Sequence, residues 1–181
     1  KESKLLNAFY VSTDDKEITD VSHGFGANCI IRPSYLASDS AGMIDVLKHA
    51  IEQTTADVIV LLQPTSPIRN SSLIDECIQA FINKKADSLA TGWMCKYTPW
   101  GSLNDSNTRQ TFKGFFYDDG NIYIFDKKLI LNGKKKGKNP VKIITSREEN
   151  FEIDDEFDFW IAEKILEKRA KDGEGNLRNA S

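Results

Sequence analysis

The sequence predicts an α/β fold with a mostly parallel sheet and helices on both faces. Short β-rich runs alternate with helical patterns along the chain, which is the order that parallel strands with crossover helices require. Residues 58–62 read Val-Ile-Val-Leu-Leu without alternation, as in a strand whose two faces are both covered. Polar residues concentrate directly after the predicted strands, where ligands bind in such sheets.

Six strands are predicted from short runs of β-branched, aromatic and aliphatic residues. They span Ala8–Val11, Cys29–Ile31, Asp57–Leu62, Ser88–Gly92, Asn121–Phe125 and Val141–Thr145. Residues 93–116 have no clear period and hold several aromatic, Gly, Asn and Asp residues. We interpret this segment as an irregular insertion.

Four helices are predicted from apolar residues at helical spacing. They cover Asp39–Gln53, the apolar stripe from Leu73 to Ile82, Lys127–Leu131 and Phe157–Arg169. Residues 171–181 are polar, and we expect them to form a loose tail. The pattern as a whole predicts one domain over residues 1–170.

Composition limits the possible partners. The chain has 181 residues and a formal net charge of −3, which argues against a nucleic-acid partner because phosphate-binding proteins are usually basic. No apolar run approaches the roughly 18 residues that span a bilayer, and no signal segment opens the sequence, so we expect no membrane partner. The three cysteines are widely spaced, which favours reduced thiols in a cytoplasmic protein.

The loop after the clearest predicted strand holds groups that suit a polyhydroxylated acid. Two prolines stiffen residues 63–69, which carry the Gln63 amide, the Thr65 and Ser66 hydroxyls and the Arg69 guanidinium. Hydroxyl groups bind amides and hydroxyls, and a carboxylate or phosphate binds Arg. A proline-rich turn with a capping serine is an equally acceptable interpretation.

Two further segments could bind a nucleotide or a metal. Arg32 ends a predicted strand, where it could meet a base edge or a phosphate, whereas Ser38 or Asp39 could simply cap the next helix. If residues 151–154 are extended, Glu152 and Asp154 project to one side, and two such carboxylates can bind Mg²⁺. The alternative for this acidic segment is a helix N-terminus, which suits residues 155–158 better than Glu152.

Five segments, taken in order, resemble the acylneuraminate (CMP-sialic acid) cytidylyltransferases. They are Val-Ser-Thr-Asp-Asp at 11–15, Arg-Pro with Leu-Ala-Ser-Asp within 32–39, Leu-Gln-Pro-Thr-Ser-Pro-Ile-Arg at 62–69, Gly-Asn-Ile-Tyr-Ile-Phe at 120–125 and Glu-Ile-Asp at 152–154. The resemblance runs from about residue 8 to 168. It implies a Rossmann-like nucleotidyltransferase fold and the transfer of CMP from CTP to a 2-keto sugar acid, with Mg²⁺ as cofactor and pyrophosphate as the second product.

The resemblance also implies roles for individual residues. Catalysis is expected from Gln63, Arg109 and Asp154, and metal binding from Glu152 and Asp154. The nucleotide contacts that it implies are Arg32, Ser38, Asp39 and Ala41. Sugar contacts fall to Gln63, Thr65, Ser66, Arg69, Arg109, Asp119 and Tyr123, with Arg109 directed at the sugar carboxylate. The family further implies a homodimer in which the insertion at 93–116 crosses into the partner's site.

Three features depart from the family pattern. The family opens with a strand and a basic loop that holds the triphosphate, and nothing similar precedes Ala8. Either the sequence begins after that segment, or the chain does not bind CTP in the usual way. Asp119 replaces the usual Asn before the glycine, and Glu152 replaces the usual Asp with a longer reach. The insertion is also short.

Three alternatives stay open. The acid could be Kdo, legionaminic acid or pseudaminic acid, although the loop around Gln63 favours the sialic-like branch. The chain could also be a non-catalytic sugar- or nucleotide-binding remnant. The third alternative is a purely structural α/β module, in which every motif is explained by a helix cap or a turn.

Overall fold

The computed structural model describes residues 3–70, 72–98 and 112–178. Its strands are β1 (Tyr10–Thr13), β2 (Asn28–Ile31), β3 (Val58–Leu62), β4 (Ser88–Cys95), β5 (Phe115–Asp126) and β6 (Pro140–Ile144). Its α-helices are α1 (Lys16–Gly24), α2 (Met43–Glu52), α3 (Leu73–Asn83), α4 (Lys127–Leu131) and α5 (Glu156–Arg178), and a 3-10 helix spans Ser34–Leu36. The predicted α/β class is confirmed.

The strands form two sheets. β1 and β2 pair in parallel, with Tyr10 opposite Asn28 and Thr13 opposite Ile31. The other four strands lie in the order β3-β5-β4-β6. β3 and β6 each neighbour a strand that does not adjoin them in sequence, so the chain crosses over between these strands.

The chain divides into two compact units. Unit 1 comprises Lys1–Val60, Ile74–Ser88 and Ile124–Val141, and unit 2 comprises Leu61–Leu73, Leu89–Tyr123 and Lys142–Ser181. The single domain expected over residues 1–170 stays a prediction.

Unit 1 contains the β1-α1-β2 segment. The carboxylate of Asp15 accepts the backbone N–H of Ile18 at 2.8 Å, so Asp15 caps α1. The core of this unit is aliphatic and aromatic, with buried side chains that include Ile30, Leu47, Ile51, Phe81, Ile124, Phe125 and Ile130. Asp126 caps α4, and Gly133 lies just beyond its end at φ 73°, a conformation that glycine adopts without strain.

Unit 2 contains most of the four-stranded sheet and all of α5. Its interior combines apolar side chains with buried polar ones, since Ile68, Leu89 and Ile122 are buried together with Ser66, Thr91 and Asn121. A buried polar group is costly unless it has a hydrogen-bond partner. The polar interior of unit 2 therefore indicates an organised network.

Several predicted boundaries were wrong. α2 begins at Met43 with Gly42 at its N-cap and without a side-chain cap, so Ser38 and Asp39 do not cap it. β4 continues to Cys95 and β5 begins at Phe115, so both ends of the predicted 93–116 insertion are strand, and residues 99–111 lie outside the described part of the chain. The expected loose tail is helical as far as Arg178.

In the described ranges, no helix combines the length and the apolar character needed to cross a bilayer.

Candidate active site

The Arg69 side chain binds the first residue of the loop that follows β3 and a residue of β5. Its Nη2 atom donates to the carbonyl oxygen of Gln63 at 2.8 Å and to that of Asn121 at 3.0 Å. Burial lowers the pKa of Arg69 from its ordinary value, and the nearby Asp119 carboxylate acts in the opposite direction. The guanidinium, predicted as a sugar contact, is thus engaged with the backbone of its own unit.

The two hydroxyls of this loop have different environments. Ser66 is fully buried and donates to the carbonyl oxygen of Asp119 at 3.4 Å. Thr65 is exposed and donates to Oε1 of Glu152 at 3.3 Å, while its carbonyl oxygen accepts the N–H of Ile153 at 2.8 Å. Of the predicted sugar contacts in this loop, Ser66 is buried, Gln63 and Arg69 are half-buried and Thr65 is exposed.

Gln63 and Glu152 converge on Gly120. A Cβ atom at position 120 would lie 2.9 Å from Oε1 of Gln63 and 3.2 Å from Oε1 of Glu152. Gly120 has φ 66°, a region in which other residues are strained. The sequence motifs around residues 63, 120 and 152 are distant in the chain, and the fold brings them to one point.

Asp119 is buried in β5, and its carboxylate binds residues of β4 and β5 and the residue that follows β6. It is 4% exposed. Its Oδ1 accepts the Thr91 hydroxyl at 2.6 Å and the N–H of Asn121 at 3.0 Å, and its Oδ2 accepts the Thr145 hydroxyl at 2.7 Å. An ionised carboxylate offers about four acceptor positions, so most of its capacity is filled from within the protein.

Three polar residues of this network were not among the predicted site residues. The Nδ2 atom of Asn121 donates to the carbonyl oxygens of Ile68 at 3.2 Å and Glu149 at 2.9 Å. Thr91 and Thr145 bind Asp119, as described above. Threonine is common in strands for reasons of packing alone, so the sequence carries no signal for the two threonines.

Tyr123 and Asp118 form a second polar pair. The Tyr123 hydroxyl donates to Oδ1 of Asp118 at 2.7 Å, and the same oxygen accepts the N–H of Gly120 at 3.0 Å. Burial is the main factor that raises the pKa of Tyr123, and the hydrogen bond to Asp118 and the charges of Asp118, Asp119 and Glu152 act in the same direction. The carboxylates of Asp118, Asp119 and Glu152 thus lie close enough to the Tyr123 hydroxyl to affect its pKa.

The acidic segment divides into two parts. Glu152 and Asp154 are exposed, whereas Phe151 and Ile153 between them are half-buried, an alternation typical of extended backbone. Asp155 accepts the N–H of Asp158 at 2.9 Å at the start of α5. The residues from 155 onward thus serve the helix start, and the first two carboxylates are presented at the surface.

No group of three His, Cys, Asp or Glu side chains suited to a metal is present in the described ranges. The metal pair expected at Glu152 and Asp154 has two members and stays a prediction.

A cavity of about 520 Å³ opens beside Glu152. Its volume lies in the range of small-molecule sites. The lining residues are Trp93, Cys95, Tyr97, Thr98, Phe115, Tyr117, Asp119, Asn150 and Glu152. Three of its aromatic residues, Trp93, Tyr97 and Phe115, fall within the segment 93–116 that the sequence indicated only as an insertion.

The predicted nucleotide contacts lie in unit 1. Arg32 follows β2, and its N–H donates to the carbonyl oxygen of Thr13 at 2.8 Å. Its side-chain Nε is buried and finds no hydrogen-bond partner among the described residues. The Ser38 hydroxyl lies 3.2 Å from that of Ser40, and the N–H of Ala41 donates to the carbonyl oxygen of Ser38 at 2.9 Å. Asp39 lies in the same short segment, and Arg109 lies outside the described residues.

The sequence matches the family described as Cytidylyltransferase over residues 1–169. It is 28% identical to the post-translational flagellin modification protein B of Campylobacter coli, over 93% of this chain and 81% of that protein. It is 26% identical to an N-acylneuraminate cytidylyltransferase of Escherichia coli, over 93% of this chain and 44% of that protein. It is 28% identical to a CMP-N,N'-diacetyllegionaminic acid synthase of Legionella pneumophila, over 92% of this chain and 81% of that protein.

Among solved structures, the fold is similar to a CMP:2-keto-3-deoxy-manno-octonic acid synthetase that was determined with CTP. The TM-score is 0.66 at 11% identity, over 92% of this chain and 82% of that one. At this identity the likeness concerns the fold.

Proposed function

This chain belongs to the cytidylyltransferase family, and on that premise we propose that it transfers CMP from CTP to a sialic-acid-like 2-keto sugar acid and releases pyrophosphate. The observation that carries the proposal is the convergence of Gln63, Gly120 and Glu152 beside a cavity of ligand size. The names of the Escherichia coli and Legionella pneumophila relatives support the class of acceptor.

The proposed reaction needs positioning more than covalent chemistry from the protein. The anomeric hydroxyl of the acid attacks the α-phosphorus, a new P–O bond forms, the bond to pyrophosphate breaks, and the hydroxyl proton is lost. Holding the two reactants in line accounts for much of the rate enhancement in such reactions. Gln63 would orient the hydroxylated acid through its amide, and Thr65, which donates to Glu152 at 3.3 Å, would fix that carboxylate.

Mg²⁺ is proposed as the cofactor, held by Glu152 and Asp154. The two residues are exposed on an extended segment, and carboxylate oxygens are the ligands that Mg²⁺ prefers. The charges of Asp118, Asp119 and Glu152 that act on Tyr123 also favour a cation nearby. When bound, the ion would neutralise charge on the transferred and departing phosphates.

The nucleotide contacts proposed in unit 1 are Arg32, Ser38, Asp39 and Ala41. Arg32 supports this assignment, because a buried donor without a partner is destabilising and an acceptor on a ligand would satisfy its Nε. Ser38 and Asp39 do not cap α2, so helix capping no longer competes with the ligand role proposed for them. Arg109 is proposed for the sugar carboxylate on the resemblance alone.

Two further properties follow from the proposed function. We propose a homodimer, since the family resemblance implies one in which the segment 93–116 reaches the partner's site. We propose a cytoplasmic location because that is where CTP is available. Size-exclusion chromatography with light scattering of the full-length protein tests the first.

Legionaminic acid is a second candidate acceptor. The relative of Legionella pneumophila is named for diacetyllegionaminic acid and has the same identity to this chain, 28%, as the flagellin modification protein. The alternatives are thus sialic, legionaminic and pseudaminic acids and Kdo, and only turnover separates them.

Pyrophosphate release from CTP and Mg²⁺ with a panel of these acids tests the proposal. The protein should turn over at least one acid, and Gln63→Ala should reduce kcat/KM for it by about 10-fold to 1,000-fold. Gln53→Ala, the same change at the exposed end of α2, is the matched control and should behave as the unaltered protein. If the folded protein releases no pyrophosphate with any acid, the enzyme proposal fails and a binding remnant replaces it.

A further inference from the structure

Lysines concentrate in two segments of unit 1. The first segment, residues 82–88, contains the end of α3 and the first residue of β4, and the second, residues 126–141, contains α4. We call the exposed lysines of these segments the lysine patch, and its members are Lys84, Lys85, Lys128, Lys134, Lys135, Lys136 and Lys138.

Hydrogen bonds hold the two segments against each other. The side-chain Nδ2 atom of Asn139 donates to the carbonyl oxygens of Lys84 and Lys85, both at 3.0 Å. Oδ2 of Asp87 accepts the N–H of Lys138 at 2.6 Å and that of Asn139 at 2.9 Å. The lysines that end α3 and those of the second segment therefore lie close together, although they are about 50 residues apart in the chain.

The positive charge of the lysine patch is only partly offset. The two segments contain two carboxylates, those of Asp87 and Asp126. Both are engaged with backbone groups, since Asp87 binds the second segment and Asp126 accepts the N–H of Lys128 at 2.7 Å. Among the described residues, no lysine of the patch has a carboxylate within ion-pair distance. An excess of positive charge at one place attracts anionic partners.

Lys85 occupies a backbone conformation that glycine adopts more easily. It lies two residues beyond the end of α3 and has φ 50°. Glycine is the usual residue at such a position, because a side chain is strained there. The part of the chain that the structure describes has no other non-glycine residue with positive φ. Strain of this kind is concentrated at functional positions, which indicates a role for the charge of Lys85.

The composition of the patch favours a lipid surface over a nucleic acid. Neither segment contains an arginine or an aromatic residue, whereas arginine binds phosphates in a fixed geometry and aromatic rings stack on bases. Lysine carries a point charge on a flexible stem, which suits a fluid array of phosphate groups. Two exposed aliphatic side chains, Ile82 at 59% and Leu131 at 47%, lie in the same segments and would gain by leaving water at the boundary between headgroups and acyl chains.

We propose that the lysine patch is a docking surface for a membrane that contains anionic phospholipids. The sequence-based expectation of no membrane partner rested on the absence of a spanning segment and of a signal segment, and binding to a membrane surface needs neither. Each lysine near an anionic bilayer strengthens binding by about fivefold, so several lysines together give an attachment that salt can reverse. This inference is independent of the reaction proposed above.

Sedimentation with lipid vesicles tests the inference. The protein should bind vesicles of equal parts phosphatidylcholine and phosphatidylglycerol, and it should not bind vesicles of phosphatidylcholine alone. Added salt should release it, because screening shortens the range of the attraction. The inference is overturned if the protein does not bind the anionic vesicles, binds both kinds of vesicle equally, or binds duplex DNA more tightly than the anionic vesicles at the same salt concentration.

Two triple variants of equal net charge separate the patch from the charge of the whole chain. The first combines three changes within the patch: Lys134→Gln, Lys135→Gln and Lys136→Gln. The second combines three changes at exposed lysines elsewhere: Lys16→Gln, Lys168→Gln and Lys171→Gln. The first variant should bind the anionic vesicles about 100-fold more weakly, and the second should bind them as the unaltered protein does. Equal weakening in both variants would contradict a defined docking surface.

Lys85→Gly separates binding from folding. The urea concentration at the midpoint of unfolding should rise, because glycine removes the strain at φ 50°. The affinity for anionic vesicles should instead fall by about fivefold. A residue that serves only the fold would not change stability and vesicle binding in opposite directions. An unchanged affinity in this variant would count against the lysine patch.

Discussion

Arg69 holds Gln63 in place through the backbone, because its Nη2 atom donates to the Gln63 carbonyl oxygen at 2.8 Å. The same atom also binds the carbonyl oxygen of Asn121 at 3.0 Å. The carbonyl oxygen of Arg69 in turn accepts Nη1 of Arg169 at 3.2 Å. The side chain proposed to orient the acid thus depends on a positioning residue at the far end of its own loop.

Replacing Arg69 should therefore affect both stability and activity. In Arg69→Lys a single ammonium group replaces the planar guanidinium and cannot reproduce the hydrogen bonds to two carbonyl groups. We expect the free energy of unfolding to fall by about 1–3 kcal/mol and kcat/KM to fall with it. Urea denaturation and the pyrophosphate assay measure the two effects. Arg147→Lys, on an exposed residue, is the control. Equal stability of the two variants would show that the hydrogen bonds from Arg69 to the two carbonyl groups do not stabilise the fold.

Gly120→Ala should inactivate the protein more than a change of backbone preference alone would. The added Cβ would meet Gln63 and Glu152 at 2.9 and 3.2 Å, in addition to the strain of φ 66°. Gly133→Ala isolates the second effect, because Gly133 has φ 73° and nothing within 4 Å of its added Cβ.

We expect both glycine variants to lose about 1 kcal/mol or more of stability. Only Gly120→Ala should lower kcat/KM, as measured by pyrophosphate release. Equal activity in the two variants would argue against crowding at the convergence of Gln63 and Glu152.

Glu152→Gln should raise the Mg²⁺ concentration needed for half-maximal rate. The amide keeps the size of the side chain and loses the charge that would attract the ion, so a shift of about tenfold or more is expected. Glu156→Gln makes the same change four residues away, in the first turn of α5, and should leave the Mg²⁺ dependence unaltered. A Glu152→Gln variant with an unshifted Mg²⁺ titration would remove this residue from the proposed metal site.

Tyr123 should make stability decrease in alkaline solution. Its pKa is raised in the folded chain, chiefly by burial and then by the hydrogen bond to Asp118. Below about pH 10, the ordinary pKa of tyrosine, the phenol is protonated in both states and its contribution is complete. Above that pH the unfolded chain ionises while the folded one does not, so the free energy of unfolding falls.

Denaturant titrations at several values between about pH 8 and 11 would measure this effect. Tyr123→Phe should lose part of the decrease, whereas Tyr35→Phe, on a ring that is 71% exposed, should retain it. An identical pH profile for Tyr123→Phe and the unaltered protein would contradict the assignment.

The position of the loop at 63–69 could be predicted from the sequence, but the roles of its residues could not. The apolar run at 58–62 predicts a strand, and the loop rich in proline follows it. The expectation that both faces of this strand are covered was wrong, since no residue of β3 is buried and Val58 is 44% exposed. Whether Ser66 or Thr65 turns inward depends on the carbonyl group of Asp119, which comes from a distant segment. Local patterns contain no information on such tertiary partners.

Strand length and helix α1 were missed for related reasons. Pairing in the sheet extends β4 to Cys95 and β5 back to Phe115, although these residues have no regular alternation. α1 has no buried residue, so it lacks the strong apolar stripe by which helices are recognised. The aromatic side of the cavity shows the same limit, since the rings of Trp93, Phe115 and Tyr117 meet only after β4 and β5 have formed.

The binding of Thr91 and Thr145 to one carboxylate has an evolutionary consequence. An Asn at position 119, which the family resemblance implies is the usual residue there, has an amide nitrogen that is a donor and could not accept a threonine hydroxyl as Oδ2 of Asp119 does here. With Asn at 119, Thr145 would instead have to accept from the amide nitrogen and donate its own proton to the carbonyl oxygen of Gly92, which lies 3.2 Å away. Substitutions at 119 and 145 should therefore be coupled among descendants of this sequence, and each residue constrains the mutational history of the other.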